Sequence, residues 1–152
     1  MSSRSSAGRY THLRTGCADR GLRLTPQREV LLRVLSEAKG HPTADDMVQR
    51  VRDVLPTVSH ATVYRNLQEL VREGLIRTLE VAGTAVQFEV NPDAHHHFVC
   101  RKCGHVWDVY LSSLDVRINR RRTELDGFQV DRRDVQLHGV CAGCRSSVRR
   151  RG

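Results

Sequence analysis

The residues most able to do chemistry stand in one stretch, "HHHFVCRKCGHVWD", residues 95–108. It holds four histidines, two cysteines and an aspartate in fourteen positions. Its Cys100-x-x-Cys103 pair is echoed by Cys141-x-x-Cys144. A Cys-x-x-Cys knuckle lets two thiolates face one ion from a tight turn. Two knuckles close a tetrahedron, which suits a structural Zn²⁺ and leaves no open position. The other uses of such cysteines are a redox dithiol or a set of buried thiols. The opening "MSSRSSAGRY" carries positive charge with no apolar run behind it, so no secretory signal is expected. A cytoplasmic location follows, and there reduced cysteines ligate metal more readily than they pair. Cys17, the odd thiol, is expected to be a buried apolar residue rather than a sensor.

A second constellation uses the remaining donors. Along a strand, residues i and i+2 share a face, so His95 and His97 converge while His96 points away. Asp108 lies on the strand that follows. Two imidazoles and a carboxylate need one or two more ligands to hold a divalent first-row metal. Glu89, His105 and His138 are candidates near in sequence, and His41 is a distant one. The same residues could instead form a solvated histidine-rich loop.

The elements that must position these residues fall into two blocks. A short helix is expected from His12 to Gly21. Thr25 as N-cap and Pro26 at the first helical position start the next, with Leu31, Val34, Leu35 and Ala38 inward and Gly40 as its end. Thr43 with Asp46 three residues on makes a capping-box variant for a third helix, whose apolar face is Met47, Val48, Val51, Val54 and Leu55. Ser59 caps a fourth, with Val63, Leu67, Leu70 and Val71 inward and Gly74 as its stop. "LIRTLEV" and "AVQFEV" then read as a hairpin. Three helices and a hairpin make a winged helix, in which Ser59–Arg72 is the helix that would enter a major groove. Ser59, His60, Thr62, Tyr64 and Arg65 are its polar start. Arg23, Thr25 and Arg28 join them as candidate DNA contacts.

Beyond Asn91-Pro92, "HHHFVC" and "HVWDVYL" read as strands. "SSLDVRINRRRTELDG" reads as a helix with Leu114, Ile118 and Leu125 inward. "FQVDRRDVQLHGVC" reads as a strand with alternating Val130, Val135 and Leu137. The expected class is therefore α+β. The expected division is a disordered leader over 1–11, a winged-helix DNA-binding domain over 12–90, a hinge over 91–94, an α/β unit over 95–145 and a basic tail over 146–152.

Net charge is +8, which suits a polyanion such as nucleic acid. It does not say which half makes the contact. Residues 1–82 carry 13 Lys/Arg against 9 Asp/Glu, and residues 83–152 carry 12 against 8. No apolar run reaches membrane-spanning length.

Taken together, "LRLTPQREVLL", "HPTADD", "VSHATVYRNLQELVREGLI", "FE", "HHHFVCRKCG" and "GVCAGC" resemble the ferric uptake regulator superfamily over about residues 12–145. The resemblance implies a non-enzymatic, metal-dependent transcriptional repressor, a homodimer on a palindromic DNA operator. It implies that the second domain serves dimerisation. It assigns one structural Zn²⁺ to Cys100, Cys103, Cys141 and Cys144. It assigns one regulatory Fe²⁺ or Mn²⁺ to His41, Glu89, His95, His97 and Asp108. His96 and Asp115 match two positions of an accessory third site, where Arg133 replaces a histidine. "HPTADD" and Asp108 look like the peroxide-stress branch, whereas Glu89 looks like the iron-sensing branch. No cysteine lies between Cys17 and Cys100, which separates the chain from zinc-responsive members. The partners implied are DNA and a second copy of the chain. No membrane is implied, and no small-molecule ligand beyond the metal and, for the peroxide branch, H₂O₂.

Two other classes compete. A zinc nucleoside deaminase needs a His-x-Glu, which the sequence lacks. A plain zinc-ribbon nucleic-acid binder would hold one ion per chain, not two.

Overall fold

Thr25, Thr43 and Ser59 each open a helix in the same way. Their side-chain oxygens accept the backbone N–H three residues on, from Arg28, Asp46 and Thr62. At Thr43 the device is reciprocal, because Asp46 accepts the Thr43 backbone N–H at 2.8 Å. That bond holds the Asp46 carboxyl below the usual range. In the computed structural model, residues 5–81, 83–113, 127–130 and 134–149 are described. The chain divides into two units, Met1–Asp93 and Ala94–Gly152.

The first unit holds α1 (Ser6–Asp19), α2 (Pro26–Glu37), α3 (Ala44–Val54), α4 (His60–Arg72), β1 (Arg77–Leu79) and β2 (Gln87–Glu89). β1 and β2 pair antiparallel, so three helices and a hairpin form the winged helix. The core follows the helical periodicity. Leu31 and Leu35 of α2, Met47 and Val51 of α3, and Leu67 and Leu70 of α4 are all buried in it. Val54 departs from the expected stripe. It ends α3 at the margin of the apolar face and is 60% exposed, while Leu55 packs inward.

α1 starts at Ser6 rather than His12, so the expected disordered leader over 1–11 is helical from residue 6 onward. Ser5 caps it. Tyr10 donates to Glu29, and Arg9 Nε donates to the Ser36 carbonyl at 2.8 Å. The helix had little pattern to read because its buried residues are only Leu13, Gly16 and Cys17. Gly16 is there for close approach: a Cβ would lie 2.3 Å from Leu75 Cδ2.

The second unit holds β3 (His96–Cys100), β4 (Val106–Val109), β5 (Gln136–Gly139) and α5 (Ala142–Arg149). The sheet order is β4-β3-β5, with β4 antiparallel and β5 parallel to β3. The long strand expected over 128–141 is shorter. Residues 127–130 lie outside any strand, with Phe128 66% and Val130 49% exposed, and only Gln136–Gly139 is paired. The physical reason is the ladder: β5 pairs with β3, which offers it partners only from His97 to Cys100. Of the helix expected over 112–127, residues 114–126 lie outside the described residues. The expected basic tail is helical through residue 149 as the end of α5.

Candidate functional site

The four cysteines converge because of strand order. β3 ends at Cys100 and β5 at Gly139, and the parallel register sets these two residues side by side. Cys141 follows two residues later, with its N–H on Cys100 Sγ at 3.4 Å. Cys103 sits in the turn between β3 and β4, closed by the Gly104 N–H on the Cys100 carbonyl at 2.8 Å. Cys144 lies in the first turn of α5, its N–H on Cys141 Sγ at 3.4 Å. The four sulfurs all lie within 4.8 Å of one another. The Cys141 N–H, with smaller help from the knuckle N–H groups, pushes the Cys100 thiol down to about 6. The Cys144 thiol is pushed up to about 12, first by its bonding to Cys141 and Cys103. Four converging sulfur donors with amide N–H groups beside them fit zinc. Binding a metal there must expel the remaining thiol protons, so it weakens as pH falls.

The second donor set is present as two half-sites. In the first unit, the Phe88 N–H donates to the Pro42 carbonyl at 2.8 Å, and Thr43 bridges Gln87. The segment before α3 is thereby stitched to the wing strand. His41 and Glu89 are brought together, with His41 Nε2 donating to Glu89 Oε2 at 2.9 Å. Both side chains are buried. In the second unit, His97 pairs with Asp108 across β3 and β4. His95, two residues before His97, shares that face. The His95 and His97 rings lie 4.8 Å apart, and His95 Nε2 is 3.7 Å from Asp108 Oδ1. Buried imidazoles facing carboxylates suit a borderline divalent metal.

Sequence reasoning missed Tyr110, whose ring lies 5.7 Å from His95. Its place two residues beyond Asp108 was the available signal. Among the described residues, His105 and His138 join no ligand cluster. His105 packs on Trp107 instead, at 4.3 Å. Asp115 and Arg133 lie outside the described residues.

On α4 the expected polar start is exposed. Ser59, His60, Tyr64 and Arg65 face solvent, as does Arg23 before α2. Thr62 is half-buried and bonds Ser59 Oγ at 2.8 Å. His60 Nε2 donates to Asp45 at 3.0 Å, and its ring stacks on Tyr64. Thr25 is occupied as the α2 cap. Arg28 departs from the expectation of a DNA contact: it is 7% exposed, its guanidinium turned inward onto α4. The Cys17 thiol is fully buried, and that burial pushes it up, as expected for an inert core residue.

A winged helix with a polar leading face on its last helix, joined to a four-thiol cluster and to paired imidazoles and carboxylates, defines a metal-responsive DNA-binding regulator. Residues 19–138 match the ferric uptake regulator family, and the chain belongs to that family. Members of the family are transcriptional regulators, not enzymes. Over 125 residues the chain is 32% identical to the peroxide-responsive repressor PerR of Staphylococcus epidermidis, covering 82% of this chain and 83% of that one. Its fold is similar to that of the Helicobacter pylori ferric uptake regulator Fur, with a TM-score of 0.69, 23% identity, and 95% and 97% of the two chains covered. It is also similar to a zinc uptake regulator solved with zinc and DNA, with a TM-score of 0.63, 25% identity, and 96% and 99% covered.

Proposed function

We propose that the chain is a repressor switched on by Fe²⁺ or Mn²⁺ and released from DNA by peroxide. His41 and Glu89 of the first unit would hold the regulatory metal jointly with His95, His97 and Asp108 of the second. The observation that carries this reading is the division of donors. One unit offers two, the other three, and neither alone fills five or six positions. Residues 91–94 act as the hinge between them. Ligands on both units select the arrangement that fits DNA, and they shift it only by their differential affinity for that arrangement. The Cys100, Cys103, Cys141 and Cys144 cluster keeps its zinc throughout and has no part in switching.

The DNA-facing groups are Tyr64, Arg65, Ser59, His60 and Thr62 on α4, with Arg23 and Thr25 beside α2. The wing from Glu80 to Val86 has no Lys or Arg, so charge for phosphate contact comes from the helices. The protein acts as a homodimer on a palindromic operator. Support for the second copy comes from apolar side chains left open on the second unit: Trp107 is 38%, Leu137 42% and Phe128 66% exposed. No helix among the described residues is long and apolar enough to cross a membrane, and a cytoplasmic role is proposed.

Peroxide sensing rests on the likeness to the peroxide-responsive repressor and on Asp108. Ferrous iron supplies a reductant for H₂O₂ when bound there. His41 and His95 are the nearby rings that can gain an oxygen, and an oxidised imidazole is a weaker donor. The half-sites then separate. Mass spectrometry after sub-stoichiometric H₂O₂ should find one added oxygen on the peptide carrying His41 or His95, in the Fe²⁺ form only, with loss of DNA binding. Oxidation confined to Met47 or to the cysteines would sink the peroxide step. A second reading, an iron-level sensor, is favoured by Glu89 and would then stand.

A further inference from the structure

The "TPQR" arginine is not at the surface. Arg28 is the third residue of α2, with its guanidinium side chain only 9% exposed. Three of its donors are used, in three directions. Nε donates to Asn66 Oδ1 at 2.8 Å, Nη1 to the Arg23 carbonyl at 2.8 Å, and Nη2 to the Glu69 carboxylate. Asn66 is itself fixed, because its Nδ2 donates to the Thr62 carbonyl at 2.8 Å, one turn earlier on α4.

Two of these partners adjoin the proposed DNA-facing groups directly, and Glu69 lies one turn past Arg65 on α4. Asn66 follows exposed Arg65, and Glu69 follows exposed Gln68. The third partner is the backbone of Arg23, whose own side chain is exposed. One planar cation thus spans two segments, the loop before α2 and the inner flank of α4. We propose that Arg28 is a positioning residue for DNA reading: it sets the register between Arg23 and Arg65. This rests on the DNA-binding function proposed above. The chemistry requires arginine. Its rigid fork serves divergent acceptors at once, whereas a lysine ammonium on a flexible stem cannot hold all three at these angles.

Arg23 and Arg65 keep their charges when Arg28 is changed. Attraction to phosphate, which sets non-specific binding and its salt slope, should therefore be retained. Sequence discrimination should fall, because it depends on where the side chains meet base edges. The test uses the full-length, metal-loaded protein. Two duplexes of equal length serve as probes, one selected by the wild-type protein from a random pool and one scrambled. For Arg28→Lys, the ratio of affinities should fall at least tenfold, with scrambled-duplex affinity and salt slope unchanged. Asn66→Ala removes one acceptor and leaves Arg28 in place, so it should lower the ratio in the same direction even if Arg28→Lys folds poorly.

A purely structural role would reduce both affinities by the same folded fraction and leave the ratio alone. That result overturns the proposal. So does a loss of scrambled-duplex binding with a shallower salt slope, which would make Arg28 itself a phosphate contact. If the wild-type protein shows no preference between the duplexes, the DNA-reading function fails and this proposal fails with it. If it discriminates and both variants discriminate equally well, only the role of Arg28 is lost.

Discussion

Cys141→Ser should unfold the second unit, not merely loosen one ligand. The unit is a short three-stranded sheet whose strands β3 and β5 are tied at their ends by Cys100 and Cys141. Among the described residues Val99 and Val106 are buried, but Leu137 and Phe128 are open, so the cluster carries a large share of what holds the sheet. In small zinc domains the binding free energy is folding free energy, on the order of 10 kcal/mol or more. Replacing a thiolate with a hydroxyl removes the charge that zinc selects. Limited proteolysis of the full chain should show cleavage throughout residues 94–152 while the winged helix stays resistant, with zinc content falling below one per chain. Full zinc content and an intact second unit would mean that the four-cysteine cluster does not hold the fold.

His41→Ala should do the opposite, sparing the fold and removing the response. His41 precedes the α3 cap, and the reciprocal bonds of Thr43 and Asp46 do not involve it. The variant leaves the buried Glu89 carboxylate without the imidazole donor, though the Asn91 N–H still reaches its other oxygen. Loss of one such donor costs about 1–3 kcal/mol locally. DNA binding at saturating metal should fall by roughly 5–150-fold, the usual range of an allosteric coupling. Zinc content should stay at one per chain. Unchanged affinity for the selected duplex would remove His41 from the switch.

These two variants touch features of different legibility. The Cys-x-x-Cys pairs could be read from spacing, because a knuckle is local and needs only four consecutive residues. The caps at Thr25, Thr43 and Ser59 were equally local. The His41–Glu89 pair could not be derived that way. It depends on Phe88 bonding Pro42 and on Thr43 bridging Gln87, contacts more than forty residues apart; each residue could be read as a candidate donor, but only the family resemblance joined the two in one site. Arg28 shows the limit most clearly. In the sequence it is a candidate DNA contact, an arginine near a helix start. Its burial follows from Asn66 and Glu69, 38 and 41 residues away, whose faces on α4 match it only once α2 and α4 are packed. α1 was underestimated for the converse reason. Its attachment runs through Arg9, Tyr10 and a close approach at Gly16, none of which makes an apolar stripe.

In the proposed switch a second metal, distinct from the zinc, turns on DNA binding. Protein that retains its zinc but is stripped of other metals can be titrated separately with Fe²⁺, Mn²⁺, Zn²⁺ and Ni²⁺ while affinity for the selected duplex is followed. Binding should be weak at one zinc per chain. It should rise steeply as one further Fe²⁺ or Mn²⁺ per chain is taken up, with the iron form alone losing that gain on exposure to peroxide. Full-strength binding at one zinc per chain, unaltered by any added metal, would contradict the switch and leave a zinc-bearing DNA binder without a sensing site.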